Sequence, residues 1–457
     1  MVSFFITHVE KLRPCVCRKR LRYFGQPNMD FDVFRALGEQ VEKEFRRFNY
    51  DDQSFPQIAE SALTNWQPDL EFDLKGLGSF LLTTMIKQQP ESLFSNLPVT
   101  VYRSTEFFIE CLIWTDATTT IHQHAFSGAF RVVMGSSLHS EVEFVEKARV
   151  STLLLLGETR IRRFEHLAVG DVRRIISGRT GLLHSLFHLD QPSVTLVIRT
   201  CGEPWSQPQY DVYPPTVAAA SDILNEDKRV RLAKGIIDVL GRLSPEEAIE
   251  VWCRDVVQLD FPRVFTICMD LREHLERPET RERVLAALRE QHGLLEEHLE
   301  RCLSERSRIS SLQSCRASIS EREIRFFLAL LLNATSRTDI FRILRDRYPA
   351  TTPEERCAAF FAELGDPKLL LTAVHAVHRK DTWAGAPSRF QQEMVRAKAS
   401  IPVEATADVL NAVVTGDSEK KLGIKLASKF GDELVDKALA AYCHYRSLPE
   451  LRVFAME

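Results

Sequence analysis

Hydrophobic residues change their spacing along the chain, and this divides it into three regions with different predicted secondary structure. Between residues 99 and 201, β-branched and aromatic runs recur between glycines and prolines, which is typical of the many strands of a sandwich or barrel. The pattern FDVFRALGEQVEKEF, which follows Met29, predicts an amphipathic helix before this region. After the loop at residues 202–215 the spacing is helical to the end. We therefore predict a multidomain α+β protein with a central β-barrel, an N-terminal helical segment and a large C-terminal all-α region.

Local signals place boundaries within the helical region. Ser244 and Thr352 each precede a proline and are followed three residues later by a glutamate, which predicts two capped helix starts. The segment Ser304–Ser320 contains seven serines and is predicted to be a linker or an exposed turn. Two helical subdomains, residues 216–315 and 320–457, are expected on either side of it.

The predicted domains are a basic N-terminal extension, a mostly helical segment, a metal-binding β-barrel and the two helical subdomains: residues 1–28, 29–97, 98–205, 216–315 and 320–457. The extension carries Cys15 and Cys17 within a run of lysines and arginines, and it lacks the apolar core and cleavage site of an export signal. Met1 and Met29 are alternative translation starts, and the mass of the intact native protein distinguishes them.

Composition narrows the class of protein. The chain has 457 residues, of which 44% are hydrophobic and 27% charged, as in an ordinary soluble globular protein. A formal net charge of −4 argues against nucleic acid as a partner. The longest apolar runs, such as Phe326–Leu332, are far shorter than the roughly 20 residues that cross a bilayer. We therefore expect no membrane partner. The ten cysteines are scattered and show neither disulfide nor zinc-site spacing, so we expect a cytoplasmic protein.

A histidine pair carries the chemistry of the predicted barrel. His122 and His124 are two apart on a predicted strand, so their side chains point to the same face about 6.6 Å apart. At that separation both rings can bind one metal ion, each with a metal–nitrogen bond of about 2.1 Å. A second segment, in which several glycines precede His184, follows some 60 residues later. The run from His139 to Glu143 alternates and predicts a solvated strand face, with a pocket lining as the alternative.

This two-part layout resembles the cupin superfamily, in which a strand with paired histidines and a later strand with a single histidine bind one metal inside a small jelly roll. Within that superfamily the closest resemblance is to the cysteine-dioxygenase type of thiol dioxygenase. It is carried by VYRS, CLIW, TTIHQH and SVTLVIRT, all within about residues 99–205. The glutamate that commonly follows the paired histidines is missing here, which leaves a three-histidine site.

The resemblance implies roles for individual residues. His122, His124 and His184 correspond to the metal ligands, and Arg103 corresponds to the arginine that holds the substrate carboxylate. His184 and His188 would lie about 13 Å apart on an extended strand, so only one of them can join the pair. The family pattern selects the histidine after the glycine turn, and His188 is then expected to serve as a second catalytic or pocket residue.

Two departures from the family bear on the substrate. Val197 and Arg199 stand where the family carries a histidine and a tyrosine, and Ala129 replaces a cysteine that is often crosslinked to that tyrosine. Arg199 is a candidate for binding a different acidic group.

These features lead to three hypotheses. The first is a mononuclear non-haem Fe²⁺ dioxygenase or oxygenase that acts on O₂ and a small acidic molecule, thiol or amino-acid-like. With Zn²⁺, Mn²⁺ or Ni²⁺ the same ligands would support an isomerase or lyase. The third is a non-catalytic, ligand-sensing cupin whose C-terminal helices bind a protein partner. The sequence contains no phosphate-binding loop and no GxSxG motif, so nucleotide binding and serine hydrolysis have no such support.

Overall fold

The computed structural model describes residues 32–67, 74–82, 89, 94–115, 119–178, 181–202, 208–367, 388–430 and 432–455. Within these ranges the chain forms two antiparallel β-sheets, with helices before and after them in sequence. The predicted α+β organisation, with a C-terminal helical region, is therefore confirmed. The basic extension with Cys15 and Cys17, and with it the choice of translation start, lies outside the described residues.

In the part of the chain that the structure describes, three helices precede the sheets: α1 (Asp32–Arg47), α2 (Phe55–Asn65) and α3 (Leu74–Phe80). The described residues then form eleven strands: β1 (Leu97–Arg103), β2 (Phe107–Trp114), β3 (Ile121–His122), β4 (Gly128–Met134), β5 (Ser137–Ser151), β6 (Leu154–Leu167), β7 (Val172–Ile175), β8 (His184–His188), β9 (Ser193–Thr200), β10 (Asp211–Tyr213) and β11 (Val217–Ala219).

The strands belong to two sheets. One has the order β1-β2-β9-β4-β7, and the other has the order β10-β11-β6-β5-β8-β3. In the second sheet Asp211 of β10 also pairs with His122 of β3, so the hydrogen-bonded ring of six strands closes on itself. Because side chains alternate between the two faces of a strand, each strand offers one set of side chains to the space between the sheets and one set to the outside.

The N-terminal helices cover the outer face of the five-stranded sheet. Phe107, Ile109 and Cys111 of β2 share a hydrophobic core with Phe34 of α1 and Phe55 of α2. Leu112 and Trp114, at the alternate positions of β2, point the other way, where they join a second cluster between the sheets. The helices therefore leave the inner face of β2 available for a cavity.

Thirteen further α-helices follow within the described residues: α4 (Ser221–Glu226), α5 (Lys228–Leu243), α6 (Pro245–Arg254), α7 (Phe261–Asp270), α8 (Pro278–His292), α9 (Leu295–Ala317), α10 (Arg322–Asn333), α11 (Arg337–Arg347), α12 (Pro353–Leu364), α13 (Arg389–Ser400), α14 (Thr406–Thr415), α15 (Glu419–Ala427) and α16 (Asp432–Ser447). They cover the outside of the six-stranded sheet, since Phe164 and Phe187 lie in the core of the later helices and Leu154 lies in the core of the earlier ones. None of the described helices is long and apolar enough to cross a membrane.

The serine-rich segment Ser304–Ser320 is helical, so its prediction as a linker was wrong. Most of it belongs to α9, which runs from Leu295 to Ala317 without a break. Leu303, Leu312 and Cys315 recur at helical spacing and are buried, and this pattern outweighs the serine content. Serines on the solvent side of the helix are exposed: Ser304, Ser307 and Ser314.

Both predicted helix starts lie where the sequence places them. At α12 the hydroxyl of Thr352 accepts a hydrogen bond from the Glu355 backbone, and the Glu355 carboxylate accepts one from the Thr352 backbone. At α6 Ser244 is the residue before the first helical turn, but among the described residues its side chain makes no capping hydrogen bond. The predicted cap is thus complete at one of the two positions.

Two glycines test the packing of the helices. A Cβ added at Gly38 of α1 would overlap the ring of Tyr102 on β1, whereas one added at Gly235 of α5 meets no atom within 4 Å. We expect Gly38→Ala to lower the free energy of unfolding by about 1–3 kcal/mol. Gly235→Ala is expected to raise it by about 0.5–1 kcal/mol, because alanine favours a helix. Denaturant unfolding measures both changes, and changes of equal sign would contradict this packing.

Candidate metal centre

A cavity of about 160 Å³ lies between the inner faces of the two sheets. Its walls are mainly apolar and aromatic: Phe94, Leu112, Trp114, Phe126, Phe130, Ile175, Leu186 and Val197. Its polar lining consists of three histidines, an ion pair and three neutral side chains: His122, His124, His184, Glu110, Arg199, Thr119, Thr195 and Gln209. A concave, mostly apolar site with a few convergent polar groups is the usual form of a small-molecule site.

The three predicted ligands converge at one end of this cavity. His122 lies on β3 directly opposite His184 on β8, and His124 follows just after β3 ends. One ligand atom from each of the three rings lies within 4.8 Å of the others. All three side chains are buried. The geometric prediction that rings from two distant segments meet at a single point therefore agrees with the structure.

The ring nitrogens fit a metal ion. The Nδ1 of His122 lies 2.8 Å from the Thr120 carbonyl oxygen, so this nitrogen donates and Nε2 keeps its lone pair. That Nε2 is buried and has no hydrogen-bond partner within the described ranges. The Nε2 atoms of His124 and His184 are 2.8 Å apart. Two ligands bound at about 2.1 Å at right angles would lie about 3 Å apart, so a shared cation suits this spacing.

Burial also prepares the rings to bind a cation. It lowers the pKa of His122, and it lowers those of His124 and His184 well below their ordinary value. The neighbouring histidines add to the effect at His124 and His184. The rings are therefore neutral near pH 7, which is the form that a metal ion requires.

His139, which is not one of the three predicted ligands, fixes the orientation of the His184 ring. The Nδ1 of His184 lies 3.0 Å from Nε2 of His139, and the Nδ1 of His139 lies 2.9 Å from Oε1 of Glu165. If Nε2 of His184 binds the metal, its Nδ1 must donate to His139, whose own Nδ1 then donates to Glu165. We call the chain of Glu165, His139 and His184 the histidine relay.

Arg173 completes the relay from the other sheet. Its guanidinium donates to both carboxylate oxygens of Glu165, at 2.8 and 2.6 Å. Burial alone would raise the pKa of Glu165, but the hydrogen bonds from Arg173 and His139 lower it to about 2. Glu165 is therefore an anion that accepts from His139. His139, Glu141 and Glu165 form a second group whose atoms are close enough to bind a metal ion. In that group the carboxylate of Glu165 is already occupied by its hydrogen bonds to Arg173 and His139.

The relay was not recognised in the sequence. The prediction of a solvated face for the run from His139 to Glu143 was wrong at His139, which is 0% exposed. A register shift between Glu141 and Val142 breaks the alternation on which that prediction depends. The available signal was a further histidine within the strand-rich region.

The two predicted arginines have different positions. Arg103 is exposed at the end of β1 and is not among the described residues that line the cavity, so its role as the anchor of a substrate carboxylate stays a prediction. Arg199 lines the cavity, but its Nε donates to Oε2 of Glu110 at 3.0 Å, and its guanidinium lies over the Phe126 ring. The sequence signal for Glu110 was a lone carboxylate within the apolar run FFIECLIW.

His188 lies behind the cavity wall. It is fully buried, its ring stacks on Trp114 with centroids 4.3 Å apart, and its Nδ1 lies within 3.0 Å of the hydroxyls of Ser137 and Ser193. The cavity lining does not include it. Its contacts support the orientation of Trp114, and a direct catalytic role stays a prediction.

Comparison with known proteins gives fragmentary similarities. No protein-family model and no curated protein matches the chain. Among solved structures, hydroquinone 1,2-dioxygenase from Sphingomonas sp. TTNP3 aligns with 15% identity over 32% of this chain and 92% of its own, at a TM-score of 0.19. The DMSP lyase DddQ from Ruegeria pomeroyi DSS-3 aligns with 13% identity over 40% of this chain and 98% of its own, at a TM-score of 0.22.

The relay predicts the effect of a charge-removing substitution. Glu165→Gln keeps the side-chain shape but removes the negative charge that polarises His139 and His184. Since partners of this kind change metal affinity by about 10- to 100-fold, we expect the Kd for Zn²⁺ to rise by about tenfold or more. Competition with a chelator measures it. Glu143→Gln, at a carboxylate paired with exposed Arg162, is the matched control and should leave the Kd unchanged. Equal Kd values for Glu165→Gln and the native protein would contradict the relay.

His188 predicts a loss of stability in mild acid. Burial lowers its pKa to about 3 in the folded protein, against about 6.5 in an unfolded chain. Below pH 6.5 the unfolded chain therefore takes up a proton that the folded protein does not. This costs about 2 kcal/mol at pH 5, and the loss continues down to the folded pKa. We expect the free energy of unfolding to fall less between pH 7 and pH 5 in His188→Gln than in the native protein. Parallel pH profiles would contradict the assignment.

Proposed function

We propose that the protein is a cupin-type, mononuclear non-haem Fe²⁺ oxygenase that acts on O₂ and a small organic molecule. The observation that carries the proposal is the convergence of His122, His124 and His184, all three buried, at one end of a cavity of about 160 Å³. Three neutral imidazole ligands do not offset the positive charge of the metal ion, and they leave coordination positions free. When bound, Fe²⁺ would supply the site at which O₂ is activated.

The residues of the chain would perform the remaining tasks. The histidine relay would hold the His184 ring so that Nε2 faces the metal position. The aromatic and aliphatic walls would exclude water, which limits side reactions of oxidising species. Phe126 packs against both the His124 ring and the Arg199 guanidinium, so it would separate the metal position from the ion pair. The pairing of Arg199 with Glu110 leaves no net charge at that pair.

The acidic character of the substrate stays a prediction from the sequence. It depended on Arg103, which lies outside the cavity, and on Arg199, which is paired with a buried carboxylate. The cavity volume of about 160 Å³ supports a small substrate. The nature of the substrate is taken up in the next subsection.

Metal content and ligand variants test the proposal. We expect the full-length protein, purified without added metal, to contain iron in near-stoichiometric amount and to bind nitric oxide, an O₂ surrogate, with the electron paramagnetic resonance signal of an Fe²⁺ adduct. His122→Ala, His124→Ala and His184→Ala should each lose the iron and the signal, since two imidazoles do not suffice to hold the ion.

The control is His274→Ala, which removes a histidine that contacts Asp238 in the helical region, and it should retain both properties. Stoichiometric zinc or nickel would favour isomerase or lyase chemistry instead. Absence of bound metal after loading with each of these ions would contradict every metal-dependent function.

A further inference from the structure

Glu110 is a buried carboxylate on the inner face of β2. Its side chain is 3% exposed. Leu112 and Trp114 follow at alternate positions of the strand, and both line the cavity together with Glu110. Because alternate residues share one face of a strand, the carboxylate of Glu110 points toward the space between the sheets.

Only one of its oxygens is engaged. Oε2 accepts from Arg199 at 3.0 Å, whereas Oε1 is buried and has no hydrogen-bond partner among the described residues. Thr100 is the residue directly opposite on β1, but its own hydroxyl also lacks a partner there, and Thr100 does not line the cavity. A buried acceptor without a donor is costly, so a donor is expected from whatever occupies the cavity.

Charge selects the kind of donor. Arg199 lies over the rings of Phe108 and Phe126, at 4.3 and 4.5 Å, and together with Glu110 forms a pair without net charge. A carboxylate placed here would face a carboxylate oxygen, and an ammonium group would face the guanidinium and, beyond it, the metal position. A neutral hydroxyl group can donate to Oε1 without either repulsion.

The volume of the cavity limits the size of the apolar part of the molecule that carries the hydroxyl group. The cavity measures about 160 Å³ and its lining includes aromatic and aliphatic side chains on several sides. An apolar protein cavity of roughly 150 Å³ holds a benzene molecule. The space therefore suits one six-membered ring or an aliphatic molecule of similar size.

We propose that Glu110 makes this cavity selective for a small neutral molecule with a hydroxyl group on an apolar body, such as an alcohol or a phenol of one ring. The hydroxyl group donates to Oε1 of Glu110, and the apolar body contacts Trp114 and the other walls. Glu110 is in this role a specificity-determining residue. The inference rests on the proposed function of the same site, since it names the substrate class of that oxygenase.

Three probes with the same ring and different polar groups test the proposal: benzyl alcohol, toluene and benzoate. Their Kd values are measured by titration calorimetry on the full-length protein loaded with Zn²⁺, which supports no redox reaction. Since the alcohol adds a hydrogen bond to a charged acceptor, we expect it to bind about tenfold or more tightly than toluene. Benzoate should bind more weakly than the alcohol.

Glu110→Gln gives the sharpest comparison. The glutamine is isosteric and its oxygen can accept from Arg199, which turns an NH₂ donor toward the position of Oε1. We expect the preference for benzyl alcohol over toluene to become smaller, because the alcohol oxygen then accepts from an uncharged NH₂ group instead of the hydroxyl donating to a carboxylate. The affinity for benzoate should rise about tenfold or more relative to the native protein. The contribution of the metal to benzoate binding cancels in this ratio.

Thr100→Val is the matched control, because it removes the hydroxyl nearest in register while Glu110 stays in place. Its probe affinities should equal those of the native protein, and tighter alcohol binding would show that Thr100 donates to Glu110, which overturns the proposal. Equal native affinities for alcohol and toluene, no change in Glu110→Gln, or no binding of any probe would also overturn it. If the probes behave as expected but the iron-loaded protein neither binds nitric oxide nor consumes O₂ with alcohols and phenols, the oxygenase function fails and the specificity of the cavity stands.

Discussion

The hydrogen bond between His139 and His184 is the interaction on which the candidate site depends most. An imidazole presents two nitrogens in different directions, and a partner that accepts the proton of one nitrogen determines that the other can face a metal. At His122 the Thr120 carbonyl provides that partner, and at His184 it is the Nε2 of His139. Without His139, a buried N–H of His184 would lack an acceptor, and the ring would have no preferred orientation.

The same contacts connect the two sheets. His139 and Glu165 face each other on β5 and β6 of the six-stranded sheet, whereas Arg173 belongs to β7 of the five-stranded sheet. The ion pair between Arg173 and Glu165 therefore crosses the space that contains the cavity. A charged pair that is partly buried requires good geometry to be stable, and here both carboxylate oxygens are engaged. The orientation of one metal ligand thus depends on the packing of both sheets.

The elements that follow from short-range patterns could be predicted from the sequence. The strand spacing between residues 99 and 201, the helix after Met29 and the paired direction of His122 and His124 all depend on residues close together in the chain. Assigning His184 required a resemblance to a known family, because its distance from the pair depends on strand pairing. Whether Arg103 or Glu110 lines the cavity could not be predicted, because strands that are distant in sequence form the cavity wall together. No local pattern distinguishes an arginine at an exposed strand end from one that points into the cavity.

The pairing of polar atoms within the cavity shows how the two ends of the site differ. Among the described residues that line it, two carry a buried polar atom without a partner, namely Nε2 of His122 and Oε1 of Glu110. The first has a lone pair but neutral charge, and it lies where three imidazoles converge, so a cation is the species that satisfies it. The second belongs to a carboxylate whose charge Arg199 already balances, so a neutral donor satisfies it. Folding alone leaves both atoms unsatisfied, at a cost in stability that buried polar atoms elsewhere avoid by pairing. A cation at one end and a hydroxyl-bearing molecule at the other would remove this cost together, which is the physical reason to regard the cavity as one site with two specificities.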